Sequence, residues 1–276
     1  MLSNNAILLV GLPDSGKSTF LAALWHQIES GEIPTTFIAA KLQSEREYLN
    51  RIRDTWLLVE QIPRTPVGMK RLNTLHLEHS KSKEKFDVLI PDVAGESFYS
   101  QWSDRQVTEE YANQVKSTHG LLIFIHSKHV FKSDLIGKPK RVHTLSPSLS
   151  AEAWLPSTSS TQVKLVDILQ TALKLYENDF PLRTAFIISA WDEVENVTTP
   201  NAWFERNLPL LEQFRRSNSD TIKSEVFGLS AMGGSLNMKP ELEAITTPST
   251  RVRIQINSDI FHDITIPLAF LFASDT

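Results

Sequence analysis

The feature that most constrains the fold of this chain is the octapeptide Gly11-Leu12-Pro13-Asp14-Ser15-Gly16-Lys17-Ser18, which satisfies the pattern G-x-x-x-x-G-K-[ST]. A continuous apolar run, residues 6–10, precedes it, and residues 18–30 follow it with apolar side chains at helical spacing. Such a run is typical of a strand that is buried on both faces of a parallel sheet. The chain is therefore predicted to pass from strand to tight turn to helix, which is the context this motif requires.

This turn is predicted to bind phosphate. Glycines let the backbone bend around an anion, successive N–H groups point inward, and the following helix adds its positive end. Lys17 is expected to reach the β- and γ-phosphates of a nucleotide, and the Ser18 hydroxyl is expected to be one oxygen ligand of Mg²⁺. The predicted phosphate-binding residues are Gly11, Asp14, Ser15, Gly16, Lys17, Ser18 and Thr19.

The remaining apolar runs indicate an α/β fold. Residues 86–90, 121–125, 185–188 and 226–229 are short runs, each followed by enough chain for a crossover helix. Residues 71–79 lie so close to the run at 86–90 that only a hairpin can join the two, so this pair is predicted to be antiparallel. The predicted architecture has three layers: a six-stranded, mostly parallel sheet with one antiparallel strand, and helices on both faces.

Further helices are predicted over residues 41–60, 163–176 and 203–214, and after Pro267. Alternating apolar and polar residues at 251–256 predict an additional edge strand.

The chain is expected to be one domain over residues 1–276, with insertions at about 38–62 and 131–160. The helix at 41–60 belongs to the first insertion. The second contains several lysines and a serine-rich run, and is interpreted as a long surface loop, with a basic partner-docking loop as the alternative.

Composition excludes several classes of function. The chain has 28 Lys and Arg against 32 Asp and Glu, so its net charge of −4 argues against nonspecific nucleic-acid binding. It contains no cysteine, which excludes disulfides and thiolate metal sites. No apolar run is long enough to span a membrane, and the first ten residues lack the basic start of a secretory signal, so a cytoplasmic location is expected.

A second motif follows the strand at 86–90, where the chain continues as Pro91-Asp92-Val93-Ala94-Gly95-Glu96. Asp92 stands at the carboxyl end of a buried strand, where its carboxylate could hold the metal through water. Gly95 offers a backbone N–H that can approach a γ-phosphate because no side chain intervenes. The D-x-x-G pattern is common alone, and it gains weight from the phosphate-binding turn upstream.

Together, GLPDSGKS and DVAGE resemble the first and third signature motifs of the Ras-like, translation-factor-related P-loop GTPases. The sequences LAALW, SEREYLNRIRDTWLL and DVAGESF bring the resemblance closest to the bacterial double-GTPase group, whose members tend to occur in multi-component, defence-associated gene clusters. The resemblance implies a Mg²⁺-dependent GTP-binding switch with GTP and GDP as ligands. Because the chain has a single phosphate-binding motif, any doubling would come from another chain, so the implied partner is an effector or a second GTPase-like chain.

The base-reading motif of that family, N-K-x-D, has a counterpart in Ser189-Ala190-Trp191-Asp192. The resemblance implies that Asp192 accepts hydrogen bonds from guanine N1–H and the amino group, which adenine cannot donate. Ser189 and Ala190 depart from the motif, and Trp191 could compensate by stacking on the base. The S-A-M sequence around Ala231 corresponds to the family's S-A-K, which implies that the Ala231 N–H donates to guanine O6.

The resemblance also requires a threonine in the first switch, and Thr65 is the choice because it lies just before the strand at 71–79. Its hydroxyl would be a Mg²⁺ ligand that is released after hydrolysis. Glu96 occupies the position where the family commonly has a water-orienting glutamine, so hydrolysis is expected to be slow. The implied catalytic residues are Lys17, Gly95 and Glu96. An activating arginine could come from Arg64 or from a partner.

Two alternatives to a GTP switch stay open because the base motif is degenerate: an ATP-using P-loop enzyme, and a nucleotide-binding scaffold without turnover. His126 and His129 are interpreted as ordinary loop histidines.

Overall fold

A computed structural model provides the structure of the chain. It describes residues 6–40, 46–63, 74–90, 101–104, 106–132, 158–195 and 199–273. The strands are β1 (Ala6–Gly11), β2 (Phe37–Ala39), β3 (Thr74–His79), β4 (Lys85–Leu89), β5 (Thr118–His126), β6 (Leu182–Ser189), β7 (Ile222–Ser230), β8 (Arg253–Ile256) and β9 (Asp259–Phe261).

These strands form one mixed sheet. Within the described residues it has nine strands in the order β2-β3-β4-β1-β5-β6-β7-β8-β9. The strands from β4 to β7 in this order pair in parallel, as predicted. The predicted hairpin is confirmed, since Thr74 of β3 pairs antiparallel with Leu89 of β4.

The prediction of six strands with one antiparallel strand is wrong. Strands β2, β8 and β9 extend the sheet, and the pairs β2–β3, β7–β8 and β8–β9 are also antiparallel. The strand predicted at 251–256 is present as β8, but β9 lies outside it at the edge. A two-residue turn joins β8 to β9, and Asn257 there has a φ of 50°, as tight hairpins require.

The helices are α1 (Lys17–Ser30), α2 (Arg46–Leu57), α3 (Glu109–Ser117), α4 (Thr161–Leu175), α5 (Pro200–Asn207), α6 (Pro209–Ser217), α7 (Lys239–Glu243) and α8 (Ile266–Phe272). Sequence analysis missed α3, which begins after the capping residue Thr108. It also predicted one helix at 203–214 where the chain forms α5 and α6. Leu208 separates the two, because Pro209 lacks an N–H and disfavours helical backbone before it.

Two apolar cores lie on opposite faces of the sheet, which confirms the prediction of helices on both faces. Alternate residues of β1 enter different cores: Ile7 and Leu9 pack with α1, α2 and α8, whereas Leu8 and Val10 pack with α3 to α6. Every residue of β1 is buried. The first strand is thus held on both faces, which gives the turn that follows it a rigid support.

The parallel strands place their carboxyl ends together, where ligands bind in open α/β sheets. The register pairs Gly11 of β1 with Phe124 of β5, and His126 of β5 with Ser189 of β6. The turn after β1 therefore lies beside the loops that follow β5 and β6. The single-domain division stays a prediction, and most of the proposed insertion at 131–160 lies outside the described residues. None of the described helices is long and apolar enough to cross a membrane.

Candidate functional site

The turn between β1 and α1 has a backbone shape that suits an anion. Asp14 has a φ of 56° and Gly16 a φ of 90°, so the chain enters the left-handed region at both residues. A Cβ on Gly16 would lie 2.8 Å from the Cβ and Oγ of Ser189. A side chain at Gly16 is therefore opposed by its own backbone conformation and by the end of β6.

The first turn of α1 supplies backbone donors. Of its first four N–H groups, only that of Phe20 has a backbone acceptor among the described residues, the carbonyl oxygen of Gly16 at 3.0 Å. In this part of the chain no side chain caps the helix, and its first turn carries no acidic residue. The N–H groups of Lys17, Ser18 and Thr19, together with the positive end of the helix, are thus available to a phosphate.

The Lys17 side chain folds over the turn. Its Nζ donates to the carbonyl oxygens of Gly11 at 2.7 Å and Leu12 at 2.9 Å, and to Oγ of Ser15 at 3.1 Å. Burial lowers the pKa of Lys17 to about 8, and the nearby Asp14 carboxylate partly offsets that effect. The ammonium group is held mainly by neutral oxygen atoms, so the negative charge of a bound phosphate would stabilise its charged form.

Ser18 is exposed on the first turn of α1, and within the described residues its hydroxyl makes no hydrogen bond. It is therefore free to serve as an oxygen ligand of Mg²⁺, and this part of the site fits the metal. The other predicted metal ligands, Thr65 and Asp92, lie outside the described residues, as do Gly95 and Glu96.

Asp192 lies in a single turn of 3₁₀ helix, Trp191–Glu193, which follows β6. Its side chain is exposed, and Oδ1 accepts a hydrogen bond from the Ser230 hydroxyl at 2.5 Å. Ser230 is the last residue of β7, the strand next to β6, and is buried. One carboxylate oxygen is thus fixed by a hydrogen bond from β7. The other oxygen can accept hydrogen bonds from a nucleotide base.

Ala231 follows β7 directly and is buried. Its carbonyl oxygen accepts a hydrogen bond from Nε1 of Trp56 at 2.9 Å. Its N–H donates to no acceptor among the described residues, which suits a donor to guanine O6. The carboxylate of Asp192 is thus hydrogen-bonded to Ser230, the residue directly before Ala231.

The Trp191 ring lies against the backbone of β7. A Cβ on Gly228 would approach that ring to 2.5 Å, and Nε1 of Trp191 donates to Oε1 of Gln255 at 2.7 Å. These contacts fix the loop that carries Asp192 to β7 and β8.

A hydrogen bond missed by sequence analysis joins the turn between β1 and α1 to the carboxyl end of β6. Oγ of Ser189 donates to the carbonyl oxygen of Ser15 at 2.8 Å. Sequence analysis treated Ser189 only as a departure from the family's asparagine. It also missed the Trp56 contact with Ala231. No local signal could have revealed either contact, since the partners are 174 and 175 residues apart.

Two histidines lie at the end of β5: His126 is its last residue, and His129 follows it in the loop. The rings of His126 and His129 stack with their centroids 3.9 Å apart. Burial lowers the pKa of His126, His129 lowers it further, and the carboxylates of Asp192 and Asp14 act in the opposite direction. His126 thus senses charges from both halves of the candidate site, which sequence analysis did not foresee.

Solved structures of GTPases resemble the chain only distantly. It is 13% identical to Sup35 complexed with GDP, over 84% of this chain and 38% of that chain, with a TM-score of 0.35. It is 11% identical to a signal recognition particle receptor SRb-GTP/SRX complex from Chaetomium thermophilum, over 87% of this chain and 97% of that chain, with a TM-score of 0.39. It is 11% identical to the bacterial selenocysteine-specific elongation factor EF-Sec, over 87% of this chain and 27% of that chain, with a TM-score of 0.35.

Similarity at this level carries no information on function, and no curated protein matches the chain. The model of the Double-GTPase 1 family matches residues 8–271, nearly the whole chain. This match includes the turn with Lys17, the loop with Asp192 and the segment with Ala231. The chain belongs to the Double-GTPase 1 family.

Proposed function

We propose that this protein binds GTP with Mg²⁺ and hydrolyses it slowly. We further propose that it acts as a switch, whose interactions with a partner differ between the GTP-bound and GDP-bound states. Family membership supports guanine-nucleotide binding. The observation that carries the proposal is the joining of two half-sites, a phosphate-binding turn at the start of α1 and a carboxylate after β6, through the hydrogen bond between Ser189 and Ser15.

In the proposed complex, the phosphates lie in the turn before α1. The N–H groups of the first helical turn donate to the phosphate oxygens, and the Lys17 ammonium exchanges its carbonyl partners for the β- and γ-phosphates. Ser18, Thr65 and Asp92 would hold Mg²⁺, Asp92 through water. When bound, Mg²⁺ neutralises charge on the phosphate groups.

Guanine would be read by Asp192 and Ala231. The Asp192 carboxylate accepts from guanine N1–H and the amino group, while the Ala231 N–H donates to O6. Adenine presents the opposite pattern at these positions, with an acceptor at N1 and a donor at N6. The hydrogen bond from Ser230 to Asp192 supports this assignment because it orients the carboxylate before any ligand binds.

Hydrolysis is proposed to be slow because a glutamate, Glu96, stands in the place of the family's water-orienting glutamine. A carboxylate can accept a proton from the attacking water, but it cannot donate to the γ-phosphate and is repelled by its charge. A partner protein that supplies an arginine would accelerate the reaction. The resemblance to the bacterial double-GTPase group motivates the search for such a partner in multi-component, defence-type systems.

Titration of the purified protein with GTP, ATP and XTP, with and without Mg²⁺, tests this proposal. We expect GTP to bind at least about tenfold more tightly than ATP or XTP, and to require Mg²⁺ for full affinity. Slow release of phosphate over several turnovers should follow. Preferential binding of ATP would favour the ATP-using alternative, and tight GTP binding without turnover would favour the scaffold.

A further inference from the structure

The last turn of the inserted helix α2 contacts the segment that is proposed to read the base. Trp56, near the end of α2, is completely buried, and its indole Nε1 donates to the carbonyl oxygen of Ala231 at 2.9 Å. The proposed role of Ala231 uses its N–H, which belongs to the neighbouring peptide group. The two peptide planes are rigid and meet at the Cα of Ala231, so once the carbonyl is fixed, the N–H can change direction only by rotation about φ and ψ of this one residue.

The indole of Trp56 is itself held in one position. The guanidinium carbon of Arg251 lies 4.2 Å from the ring centroid, and Nη2 of Arg251 donates to the Trp56 carbonyl oxygen at 3.3 Å. On α1, the His26 ring lies 5.1 Å away, centroid to centroid. A ring packed between α1 and the segment before β8 cannot rotate without disturbing both, so its N–H has a defined direction.

Two neighbouring residues of the segment proposed to read the base, Ser230 and Ala231, each make a hydrogen bond that fixes a group of the site. Trp56 holds the carbonyl of Ala231, and the preceding residue, Ser230, holds the carboxylate of Asp192 at 2.5 Å. The two groups proposed to meet guanine thus each have a buried neighbour that orients them. Of these two neighbours, Ser230 belongs to β7, whereas Trp56 belongs to the inserted helix α2.

We propose that Trp56 is a positioning residue for guanine recognition, which orients the Ala231 peptide so that its N–H meets the O6 of the base. The inference rests on the proposed binding of GTP. It gives α2 a role in selecting the nucleotide, although this helix carries none of the nucleotide-binding motifs.

The chain offers a matched control in Trp25 on α1. Trp25 is also completely buried, and its Nε1 donates to Oδ1 of Asn50 on α2 at 2.9 Å. The substitutions Trp56→Phe and Trp25→Phe each remove one hydrogen bond that a buried indole makes at α2. Only Trp56→Phe removes a hydrogen bond to Ala231.

Affinities of the wild type and both variants are measured for Mg²⁺ complexes of GTP, 6-thio-GTP and inorganic tripolyphosphate. We expect Trp56→Phe to weaken GTP binding about tenfold, to reduce the preference for GTP over 6-thio-GTP, and to leave tripolyphosphate binding unchanged. Trp25→Phe should bind all three ligands as the wild type does. The sulfur analogue tests O6 because sulfur is a weaker acceptor than oxygen.

Unchanged GTP affinity in Trp56→Phe would overturn the inference, and so would equal losses in both variants or a parallel loss of tripolyphosphate binding. If the wild type itself does not prefer GTP to ATP, the proposed function fails instead. If Trp56→Phe does not fold, hydrogen exchange of the Trp56 indole N–H in the wild type replaces it. GTP should slow this exchange and tripolyphosphate should not, whereas an indole N–H that does not respond to GTP would contradict the inference.

Discussion

Ser189 donates its hydroxyl hydrogen to the carbonyl oxygen of Ser15 at 2.8 Å, and both side chains are buried. The bond joins the carboxyl end of β6 to the turn before α1. Gly16 lies so close to Ser189 that only a residue without a side chain fits there. The part of the site proposed to bind phosphate and the part proposed to read the base are therefore held in a fixed relationship before any nucleotide binds.

Removal of this connection should weaken nucleotide binding. Ser189→Ala leaves the Ser15 carbonyl without its donor, and we expect a loss of about 1 kcal/mol in folding stability and a several-fold loss in GTP affinity. Titration calorimetry and thermal unfolding provide the measurements. Thr118→Val is the control, because its buried hydroxyl donates to the Ala6 carbonyl at 3.1 Å, at the amino end of β1 and away from the turn before α1. Equal losses of GTP affinity in the two variants would contradict the assignment.

Nucleotide affinity should depend on pH through Lys17. Burial lowers the pKa of Lys17 to about 8 in the nucleotide-free protein, and a bound triphosphate would raise this pKa by placing negative charge beside the ammonium. Protons are then taken up on binding, so affinity is full below about pH 8 and falls as the pH rises above that value. We expect GTP to bind about tenfold more weakly at about pH 9 than at about pH 7.

The control for this dependence is Lys17→Ala, which should reduce triphosphate binding at least about a hundredfold. Lys128→Ala removes an exposed lysine after β5 and should retain both wild-type affinity and its pH dependence. Proton uptake is measured by calorimetry in buffers of different ionisation enthalpy. If no proton is taken up by the wild type above about pH 8, Lys17 does not contact the phosphates as an ammonium.

Base selection should change at Asp192. Asp192→Asn replaces a carboxylate oxygen with an amide donor that matches the extra carbonyl of xanthine, so preference should move from GTP toward XTP by at least about tenfold. Ser230→Ala should weaken GTP binding less, since it removes only the hydroxyl that orients the carboxylate. Competition between labelled GTP and unlabelled XTP gives the ratio. The same ratio in the wild type and Asp192→Asn would exclude base reading through this carboxylate.

Hydrolysis should respond to Glu96. Glu96→Gln restores a side chain that can donate to the γ-phosphate and avoids its charge, so the rate of phosphate release should rise, whereas Glu96→Ala should lower it. Single-turnover measurements at saturating GTP separate this effect from binding. A rate that is the same in all three proteins would remove Glu96 from the mechanism.

The sequence predicts those parts of the fold whose signals are local. The apolar run before Gly11 and the glycines of the motif predict β1 and the turn into α1, and the short distance between β3 and β4 predicts their hairpin. Strands β2 and β9 have three residues each, too few for a periodic pattern. The break at Leu208 was readable from Pro209, but the apolar periodicity on both sides suggested one helix.

For the candidate site too, the sequence predicts the residues that have a local signal and misses those that do not. Lys17, Ser18 and Asp192 are predicted as site residues because motifs place them at fixed positions after strands. The contacts of Ser189 with Ser15 and of Trp56 with Ala231 are found only in the structure, since the two partners of each contact are distant in sequence. Hydrogen bonds of this kind depend on which strands end side by side in the sheet. No short segment of a single sequence carries that information.

A crystal structure of the protein grown with Mg²⁺ and a non-hydrolysable GTP analogue tests the central claim most directly. We predict that Nζ of Lys17 contacts the phosphates in the turn before α1, and that the guanine edge meets Asp192 and the Ala231 N–H. A structure in which Lys17 keeps its bonds to the carbonyls of Gly11 and Leu12 while the nucleotide binds elsewhere would contradict the account.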